Sequence, residues 1–442
     1  MSLKQAESKG AIVKIGIVGA GITGLTAAYV LADAGHEVSV YEAAAQVGGL
    51  ASGFRDSSWE WPLERFYHHI FQTDKAIIDL TKTIGFEANL FFRSPITAQW
   101  WQGQLYPIDS PLNVLRFPAL PFQDRVRFGL VVAYLKYLYN DWHTLEQSSA
   151  LEWSQRWMGK AAYQAILQPL LEGKFGDQLQ EVNMAWLWAR FRARSFKLGY
   201  FEGGFQGFVA ALQQAAEKLG VKVYLNAPVE KVENDSNGWL IHSAGAFQAF
   251  ERLLITSSPH LLTKLVPQLP PNYLGKLNDL RSMGAVVLVL ALKQSLVKDF
   301  YWIHGMPKAE IPFLALVEHT NFIEKKHYGG DHLVYCGDYL APNHEYFSLS
   351  QDELLARFMP ALSRFNANFQ PAWIRNAWLQ RETYAQPIVG LKHSERIPPL
   401  ATPLSGLYWA SMSQVYPWDR GTNFAVDLGQ KAAREICTSP LK

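Results

Sequence analysis

Six residues near the N-terminus have the spacing that brings a phosphate group against backbone N–H groups. They read Gly19-Ala20-Gly21-Ile22-Thr23-Gly24. The first glycine permits a tight turn, the second lets the backbone approach a pyrophosphate, and the third lets a helix pack closely on the preceding strand. Glu42 follows at the end of a second strand, where a carboxylate accepts hydrogen bonds from a ribose. This pattern predicts a dinucleotide, with its pyrophosphate at a helix N-terminus.

A second glycine pair, Gly48-Gly49, follows Glu42 six residues later, within the run from Ala43 through Leu50 to Ala51. Paired glycines at this place are typical of FAD enzymes of the glutathione-reductase-like superfamily and are generally absent from NAD dehydrogenases. They would let the backbone come close to the ribityl and pyrophosphate part of the cofactor. We therefore predict FAD, although a simple loop would also accommodate the two glycines.

Adjacent histidines, His68 and His69, lie between aromatic residues in the segment from Glu64 to Phe71. A metal site is not predicted, because the two are neighbours and no third ligand is evident. A strand would point them to opposite faces, so at most one faces a pocket. The alternative, that both are structural, stays open.

Arginines at alternate positions, Arg190, Arg192 and Arg194, are a second candidate cluster. Guanidinium groups suit phosphate or carboxylate ligands. Solvated or paired side chains would give the same pattern, so both readings stay open.

The elements that must position the glycines form a complete βαβ unit. Val13 to Val18 is predicted as a buried strand, Ile22 to Ala34 as a helix that stops at Gly35, and Glu37 to Tyr41 as the second strand. Further along we predict a helix over 205–219 and a final strand and helix over 407–410 and 423–436. Other strands are predicted over 221–225, 229–232, 239–242, 253–256, 286–292, 313–317 and 333–336.

Composition narrows the class of protein. A chain of 442 residues is long enough for two lobes. Its net charge of +2 does not indicate nucleic-acid binding, and its two cysteines suggest neither disulfides nor a thiolate metal site.

We expect a cytoplasmic enzyme with a small-molecule substrate. The apolar stretch from Phe128 to Tyr139 is too short for a membrane span of ~20 residues, while contact with a membrane surface stays open. The oligomeric state is not predicted.

Three blocks together resemble the flavin amine oxidase, protoporphyrinogen oxidase and phytoene desaturase superfamily. They are the N-terminal unit through Gly49, the run 202–208 leading to 221–232, and the segment 406–433. The resemblance implies an α/β fold, with a glutathione-reductase-like Rossmann FAD-binding domain and an inserted α+β substrate domain. The FAD-binding domain would comprise 11–90, 201–260 and 395–440, and the substrate domain 91–200 and 261–394. Hydride transfer to flavin N5 is the implied chemistry.

The resemblance also assigns cofactor contacts. Val229 matches the adenine-contacting strand, and the helix that begins near Asn423 meets the flavin's N1/O2 edge, where its dipole stabilises negative charge. The expected FAD-binding residues are Gly19, Ala20, Gly21, Ile22, Thr23, Gly24, Glu42, Ala43, Gly48, Gly49, Leu50, Val229, Ser411, Asn423, Phe424 and Ala425.

Other segments resemble UDP-galactopyranose mutases, which use reduced flavin as a nucleophile without net redox change. They are 67–73, 103–107, 317–322 and 384–387. His69 matches the flavin-facing histidine, and a diphosphate would be held by cationic and tyrosyl groups. The implied catalytic residues are His69 and Tyr384, and the implied substrate-binding residues are Arg190, Arg194, Glu318, His319 and Arg381.

Two departures from known patterns separate the alternatives. The mutases carry a glycine–arginine pair after the final strand, whereas this chain has Ser411-Met412-Ser413-Gln414. Many amine oxidases carry a lysine where this chain has Leu288. We therefore predict a protoporphyrinogen oxidase-like oxidoreductase acting on an apolar or ring-bearing substrate, with the mutase as the alternative. A chain that binds FAD without catalysis is a third reading.

Overall fold

The computed structural model describes residues 11–235 and 238–439. The strands are β1 (Lys14–Val18), β2 (Glu37–Tyr41), β3 (Gly53–Phe54), β4 (Leu63–Glu64), β5 (Ile70–Phe71), β6 (Leu90–Arg93), β7 (Ile96–Trp101), β8 (Gln104–Pro107), β9 (Leu198–Phe201), β10 (Lys222–Tyr224), β11 (Val229–Asp235), β12 (Gly238–Ser243), β13 (Ala246–Phe250), β14 (Arg252–Ile255), β15 (Ser282–Leu292), β16 (Phe300–His304), β17 (Ala315–Glu318), β18 (His332–Leu340), β19 (Ile374–Pro387) and β20 (Leu407–Trp409).

The α-helices follow the same chain order. They are α1 (Ile22–Asp33), α2 (Lys75–Thr83), α3 (Pro111–Arg116), α4 (Phe122–Tyr137), α5 (Trp142–Leu145), α6 (Ala150–Trp157), α7 (Lys160–Ala162), α8 (Gln168–Phe175), α9 (Met184–Ala193), α10 (Gly204–Lys218), α11 (Pro259–Leu265), α12 (Pro271–Asn278), α13 (Gln351–Leu362) and α14 (Thr422–Thr438).

A parallel five-stranded sheet takes its strands from three separate parts of the chain. Its order is β10-β2-β1-β14-β20, and every neighbouring pair is parallel. The central strand β1 is buried from Ile15 to Val18, as a strand covered on both faces must be. Helices α1, α10 and α14 supply apolar side chains to the core on one face of this sheet.

A seven-stranded sheet forms the second layer, in the order β19-β15-β18-β17-β16-β7-β8. All its neighbouring pairs are antiparallel except β16 with β7. Its two faces belong to different cores. Val287 and Tyr335 pack toward the parallel sheet, whereas Val286, Leu288 and Cys336 pack on the opposite face with α13.

A helical region from α3 to α9 covers the remaining part of the inner face of this second sheet. Its core contains Trp186 and Phe175 and reaches Ala285 and Ala315 of the sheet. The space between the helices, the second sheet and the edge of the parallel sheet contains the candidate site.

The mixed α/β architecture with a parallel sheet confirms the coarse prediction of the fold. Strand β2 has the predicted bounds, and β1, α1 and α14 differ from prediction by one or two residues at their ends. The 14-residue strand β19 was not predicted. The lobe boundaries remain a prediction.

Candidate functional site

Two helix N-termini meet at one edge of the parallel sheet. Helix α1 begins directly after β1, and α14 packs along α1 so closely that a Cβ on Gly429 would lie 2.5 Å from the Thr23 carbonyl oxygen. Neither helix has an acidic residue in its first turn. Both therefore present N–H groups and the positive end of the helix dipole, which favours an anionic or electron-rich ligand.

The glycine turn between β1 and α1 has the geometry that a phosphate cradle needs. Gly19 adopts φ +103°, and a Cβ on Gly24 would lie 2.0 Å from the Gly19 carbonyl oxygen, so the close strand–helix contact requires glycine. A Cβ on Gly21 would meet nothing within 4 Å. That open side of Gly21 leaves room for a ligand against the turn.

Glu42 and the second glycine pair complete the cradle. The Glu42 carboxylate accepts hydrogen bonds from the Ala20 N–H at 2.8 Å and from the Ala44 N–H at 2.9 Å. The Gly48 N–H donates to the Ala20 carbonyl at 2.9 Å. The structure thus brings the three predicted glycine-rich and acidic features into one contiguous group.

Val229 and Asn423 are two further residues that were predicted to contact the cofactor. Val229 begins β11, five residues after Tyr224, the last residue of β10, whose carbonyl accepts from the Glu42 N–H. The Asn423 side chain accepts a hydrogen bond from the Ile77 N–H at 3.2 Å, which fixes α2 to the start of α14. Asn423 therefore presents its backbone N–H, rather than its side-chain amide, at the edge of the parallel sheet where the two helix N-termini meet.

A cavity of about 40 Å³ continues from the glycine pair toward the second sheet. Leu50, Tyr67, His68, Val287 and Arg420 contribute to its wall. The side of β15 that faces this cavity carries Val287, whereas Leu288 packs in the core on the other face. Leu288, which stands where many amine oxidases carry a lysine, therefore does not face this cavity, and the residue of β15 that does face it, Val287, is also apolar.

Arg420 also belongs to a group of charges that we call the cationic cluster: Lys174, Arg190, Arg194, Arg420 and the carboxylate of Asp419. Arg190 Nη1 is 2.5 Å from Asp419 Oδ2. The other Asp419 oxygen accepts from the Trp186 indole N–H at 3.1 Å and from the Arg420 backbone N–H at 3.1 Å. Lys174 Nζ donates to Gln386 Oε1 at 3.0 Å and lies 4.7 Å from the centre of the Tyr339 ring.

Burial shifts the pKa of the acidic member of the cluster and those of two basic members in opposite directions, whereas the neighbouring basic groups lower all three. Burial alone would raise the pKa of Asp419, but Lys174, Arg190 and Arg420 hold that pKa well below its ordinary range. Burial, with the nearby arginines, lowers the pKa of Lys174 well below its usual value. Burial and Arg190 lower the pKa of Arg194 to about 9, although its side chain is reached by solvent. Arg194 is therefore the member of the cluster most open to solvent.

Two histidines beside the cluster are held neutral. Burial first, and then Arg194 and Arg190, lower the pKa of His69 and of His304 to about 3. Among the residues that the structure describes, no atom is hydrogen-bonded to Nδ1 of either ring. Gln99 pairs with His304 across β7 and β16, and among the described residues its buried Oε1 also has no hydrogen-bond partner. Buried polar atoms normally have partners, so these three mark a place for a ligand or water.

Tyr384 and Ser411, predicted separately, are in direct contact. The Tyr384 hydroxyl lies 2.6 Å from both Ser411 Oγ and Ser413 Oγ and accepts from the Ser413 N–H at 3.1 Å. These contacts join β19 to the loop that follows β20.

Three predicted substrate-binding residues are not brought to the cluster. Arg381 is exposed, and its β15 partner Val286 packs on the opposite face of the sheet. Glu318 is fully buried and accepts from the Val297 N–H at 2.6 Å, and His319 Nε2 is 2.9 Å from the Tyr328 hydroxyl. Both lie in the packed interior between β17 and its neighbours, where Glu318 Oε1 is 3.4 Å from His332 Nδ1.

Four residues of the cluster and its surroundings escaped the sequence analysis: Lys174, His304, Asp419 and Arg420. The alternating arginines did signal the cluster, but nothing in the sequence pairs Arg190 with an aspartate 229 residues away. Within the described residues, no three His, Cys, Asp or Glu side chains converge as a metal ion would require. The cradle fits a dinucleotide, and the cavity beyond the glycine pair continues toward the cationic cluster. A nucleotide site next to a charged site is the arrangement expected of a nucleotide-dependent enzyme.

Comparison with known proteins assigns the class. The sequence model of the flavin-containing amine oxidoreductase family matches residues 22–437, and the chain belongs to that family. Membership of this family confirms the prediction of FAD as cofactor.

Individual relatives are distant. The chain is 24% identical to an L-amino-acid oxidase of Pseudechis australis over 244 residues, which is 50% of this chain and 45% of that protein. The chain thus spans about half the length of this curated relative. A candidate protoporphyrinogen oxidase from Exiguobacterium sp. 255-15 superposes with a TM-score of 0.74 at 18% identity, covering 97% of this chain and 99% of the other. A reduced UDP-galactopyranose mutase gives 0.73 at 16% identity, covering 97% and 94%. These structures share the fold.

Proposed function

We propose that the chain oxidises an apolar or ring-bearing substrate that also carries an anionic group, by hydride transfer to FAD, as in the protoporphyrinogen oxidase-like group. The observation that carries this proposal is the cationic cluster, in which four basic side chains surround one carboxylate. Enclosed charges of one sign are costly unless paired. An anionic substrate group beside Arg194 would supply the missing counter-charge.

The proposal assigns separate tasks to the chain's residues. Bound FAD supplies the hydride acceptor, so the protein needs to position the substrate and exclude water rather than provide a strong base. Arg194 would bind the anionic group, while Arg190 would be held in place by Asp419. Neutral His69 and His304 would hydrogen-bond to the substrate through their free ring nitrogens. Val287 would give an apolar surface, and Tyr384 would hold the Ser411 loop.

We also infer the finer description of the fold. The parallel sheet with its glycine turn supports a glutathione-reductase-like Rossmann domain built from 11–90, 201–260 and 395–440. The second sheet and the helical region would form the inserted substrate domain, 91–200 and 261–394. The contacts of Glu42 with Ala20 and of Gly48 with Ala20 support the proposed cofactor contacts in this domain.

A nucleotide-sugar mutase is the second candidate. The cationic cluster favours it as well, since paired arginines suit a diphosphate. Against it, the loop after β20 carries serines bound to Tyr384 where the mutases carry an arginine. We therefore rank the oxidoreductase first.

One pair of assays separates the two reactions. The purified flavoprotein is given a reduced tetrapyrrole with free carboxylates or an L-amino acid, and consumption of oxygen or of a quinone is followed. In parallel, the dithionite-reduced protein is given UDP-galactopyranose, and ring contraction is followed by chromatography. We expect turnover in the first assay only. Ring contraction by the reduced protein without turnover of any electron donor would overturn the proposal in favour of the mutase.

A further inference from the structure

The outward face of helix α4 carries exposed apolar side chains from its first turn to its last, with Gln123 as a polar residue among them. Phe122, Leu130 and Tyr137 are 70%, 67% and 66% exposed, and Val126 and Tyr134 lie between them on the same side. On the inward side, Phe128 and Leu135 are buried in the helical core. The helix is therefore apolar on both sides, although only one side is covered by the protein.

The spacing of the five outward residues confines them to one stripe. At 3.6 residues per turn, positions 122, 126, 130, 134 and 137 fall within an arc of roughly 120°. We call this stripe the α4 face. Arg127 borders it on one side and Lys136 on the other.

The sequence around the α4 face is basic. Helix α4 carries three basic residues, Arg125, Arg127 and Lys136, against one acidic residue, Asp124, and residues 186–200, which include most of the adjacent helix α9, contain no acidic residue. Arg192 and Lys197 of that second segment add positive charge beside the helix. A basic surface with an apolar centre is complementary to a layer of anionic amphiphiles.

Neighbouring exposed side chains extend the same surface. Arg125 donates to the Leu115 carbonyl at 2.8 Å, and Arg127 donates to the Trp157 carbonyl at 2.8 Å. Leu115 and Trp157 are both exposed. Lys136 Nζ lies 5.9 Å from the centre of the Phe196 ring, and Phe196 is 60% exposed. Apolar and aromatic groups with a basic border thus continue on both sides of α4.

We propose that the α4 face docks on a lipid bilayer that contains anionic phospholipids. The 16-residue helix lies along the surface, its apolar side chains enter the acyl region, and the bordering arginines and Lys136 contact lipid phosphates. Aromatic residues such as Tyr134, Tyr137 and Trp157 suit the boundary between acyl chains and water. Within the described residues no helix is long and apolar enough to cross a bilayer, so the contact is peripheral.

A second copy of the chain fits this surface less well. In a two-fold symmetric contact the same patch lies on both sides, so each basic border would face another basic border. Like charges brought together in that way oppose association. An anionic bilayer has the opposite charge and the required apolar layer.

Vesicle flotation of the full-length flavoprotein tests the proposal. Vesicles of phosphatidylcholine are compared with vesicles that also contain phosphatidylglycerol, at low and high salt. We expect binding to the anionic vesicles, weakened by salt because exposed charges are screened. Leu130→Glu should weaken binding about tenfold, since it replaces an inserted apolar group by a charge.

A matched variant, Phe247→Glu, controls for the loss of an exposed apolar side chain. Phe247 is 71% exposed on β13, away from the helical region, and its replacement should change binding by less than about twofold. Flavin absorbance shows that both variants are folded. Equal binding of Leu130→Glu and wild type, or no binding of the wild type to anionic vesicles, would overturn the proposal. So would a wild-type dimer in gel filtration that Leu130→Glu separates into monomers.

Discussion

At the scale of single residues, the surroundings of His304 decide what the side chain can do. Burial of its ring, and then Arg194 and Arg190, lower its pKa to about 3, so the ring is neutral near pH 7. A neutral imidazole can accept one hydrogen bond and donate another, which suits positioning of a substrate. The same reasoning applies to His69.

The lowered pKa of His304 predicts a pH dependence of stability. Between about pH 6.5 and pH 3 the unfolded chain binds a proton at this residue that the folded chain does not, so the stability of the folded state falls as the pH falls. Glutamine cannot take up that proton. From pH 7.5 to pH 5 the wild type should therefore lose about 1–2 kcal/mol more unfolding free energy than His304→Gln.

Urea unfolding at a series of pH values measures this difference. His260→Gln, at an exposed position on α11, is the matched control and should follow the wild type. Parallel curves for wild type and His304→Gln would show that the ring is protonated in the folded protein, contrary to our account.

Tyr384 is a positioning residue in our account. Tyr384→Phe would leave two serine hydroxyls and the Ser413 N–H without their partner. We expect a loss of about 1–3 kcal/mol in unfolding free energy and weaker binding of FAD, because the loop after β20 is released. Tyr106→Phe, which removes an exposed hydroxyl bonded to Gln104, should cost less than about 0.5 kcal/mol.

Thermal unfolding and FAD titration of the two variants decide the role of Tyr384. A Tyr384→Phe protein with unchanged stability and FAD affinity, but with slower turnover, would assign Tyr384 to the chemistry instead.

At the scale of elements, the contact between β1 and α1 is the most demanding in the fold. The Gly24 position has no room for a side chain, since a Cβ would lie 2.0 Å from the Gly19 carbonyl oxygen. Gly24→Ala should therefore move the helix N-terminus, abolish FAD binding and cost about 2–4 kcal/mol of stability.

Gly275→Ala on α12 is the control for this substitution. A Cβ there meets nothing within 4 Å, and alanine is the better helix former by about 1 kcal/mol, so stability should stay equal or rise. The ratio of flavin to protein after purification reports the result for both variants. A Gly24→Ala protein that retains a full complement of FAD would contradict the role we give to this turn.

The elements also show which parts of the fold can be predicted from the sequence alone. The βαβ unit was predictable because several signals agree over a short stretch: a β-branched run, helical spacing, a glycine stop and a terminal acid. Strand β19 was not, because it is an edge strand that pairs only with β15 and exposes polar side chains such as Arg375 and Arg381. Charged residues on an edge strand oppose pairing with other chains. They also interrupt the alternation of apolar and polar residues from which a strand is predicted.

At the scale of the whole molecule, the cationic cluster joins distant parts of the chain. Lys174 comes from α8, Arg190 from α9, and Asp419 from the segment before α14. Their contacts depend on how the helical region closes over the second sheet, and no local pattern encodes that. That the glycine turn, Glu42 and the glycine pair lie together could therefore be predicted from the sequence, whereas the cationic cluster could be predicted only as an arginine-rich segment.

The central claim of the account is that an anionic group binds beside the FAD, at Arg194. Titration of the flavin absorbance spectrum with paired ligands, such as a tetrapyrrole with free carboxylates and its methyl ester, tests it most directly. In the wild type, the acid should bind about 10- to 100-fold more tightly than the ester, as expected for a charge-assisted hydrogen bond. Arg194→Gln should remove that preference, whereas Arg192→Gln should keep it, because Arg192 bonds to the Lys136 and Tyr139 carbonyls instead. Equal affinities of the acid for the wild type and Arg194→Gln would contradict the claim.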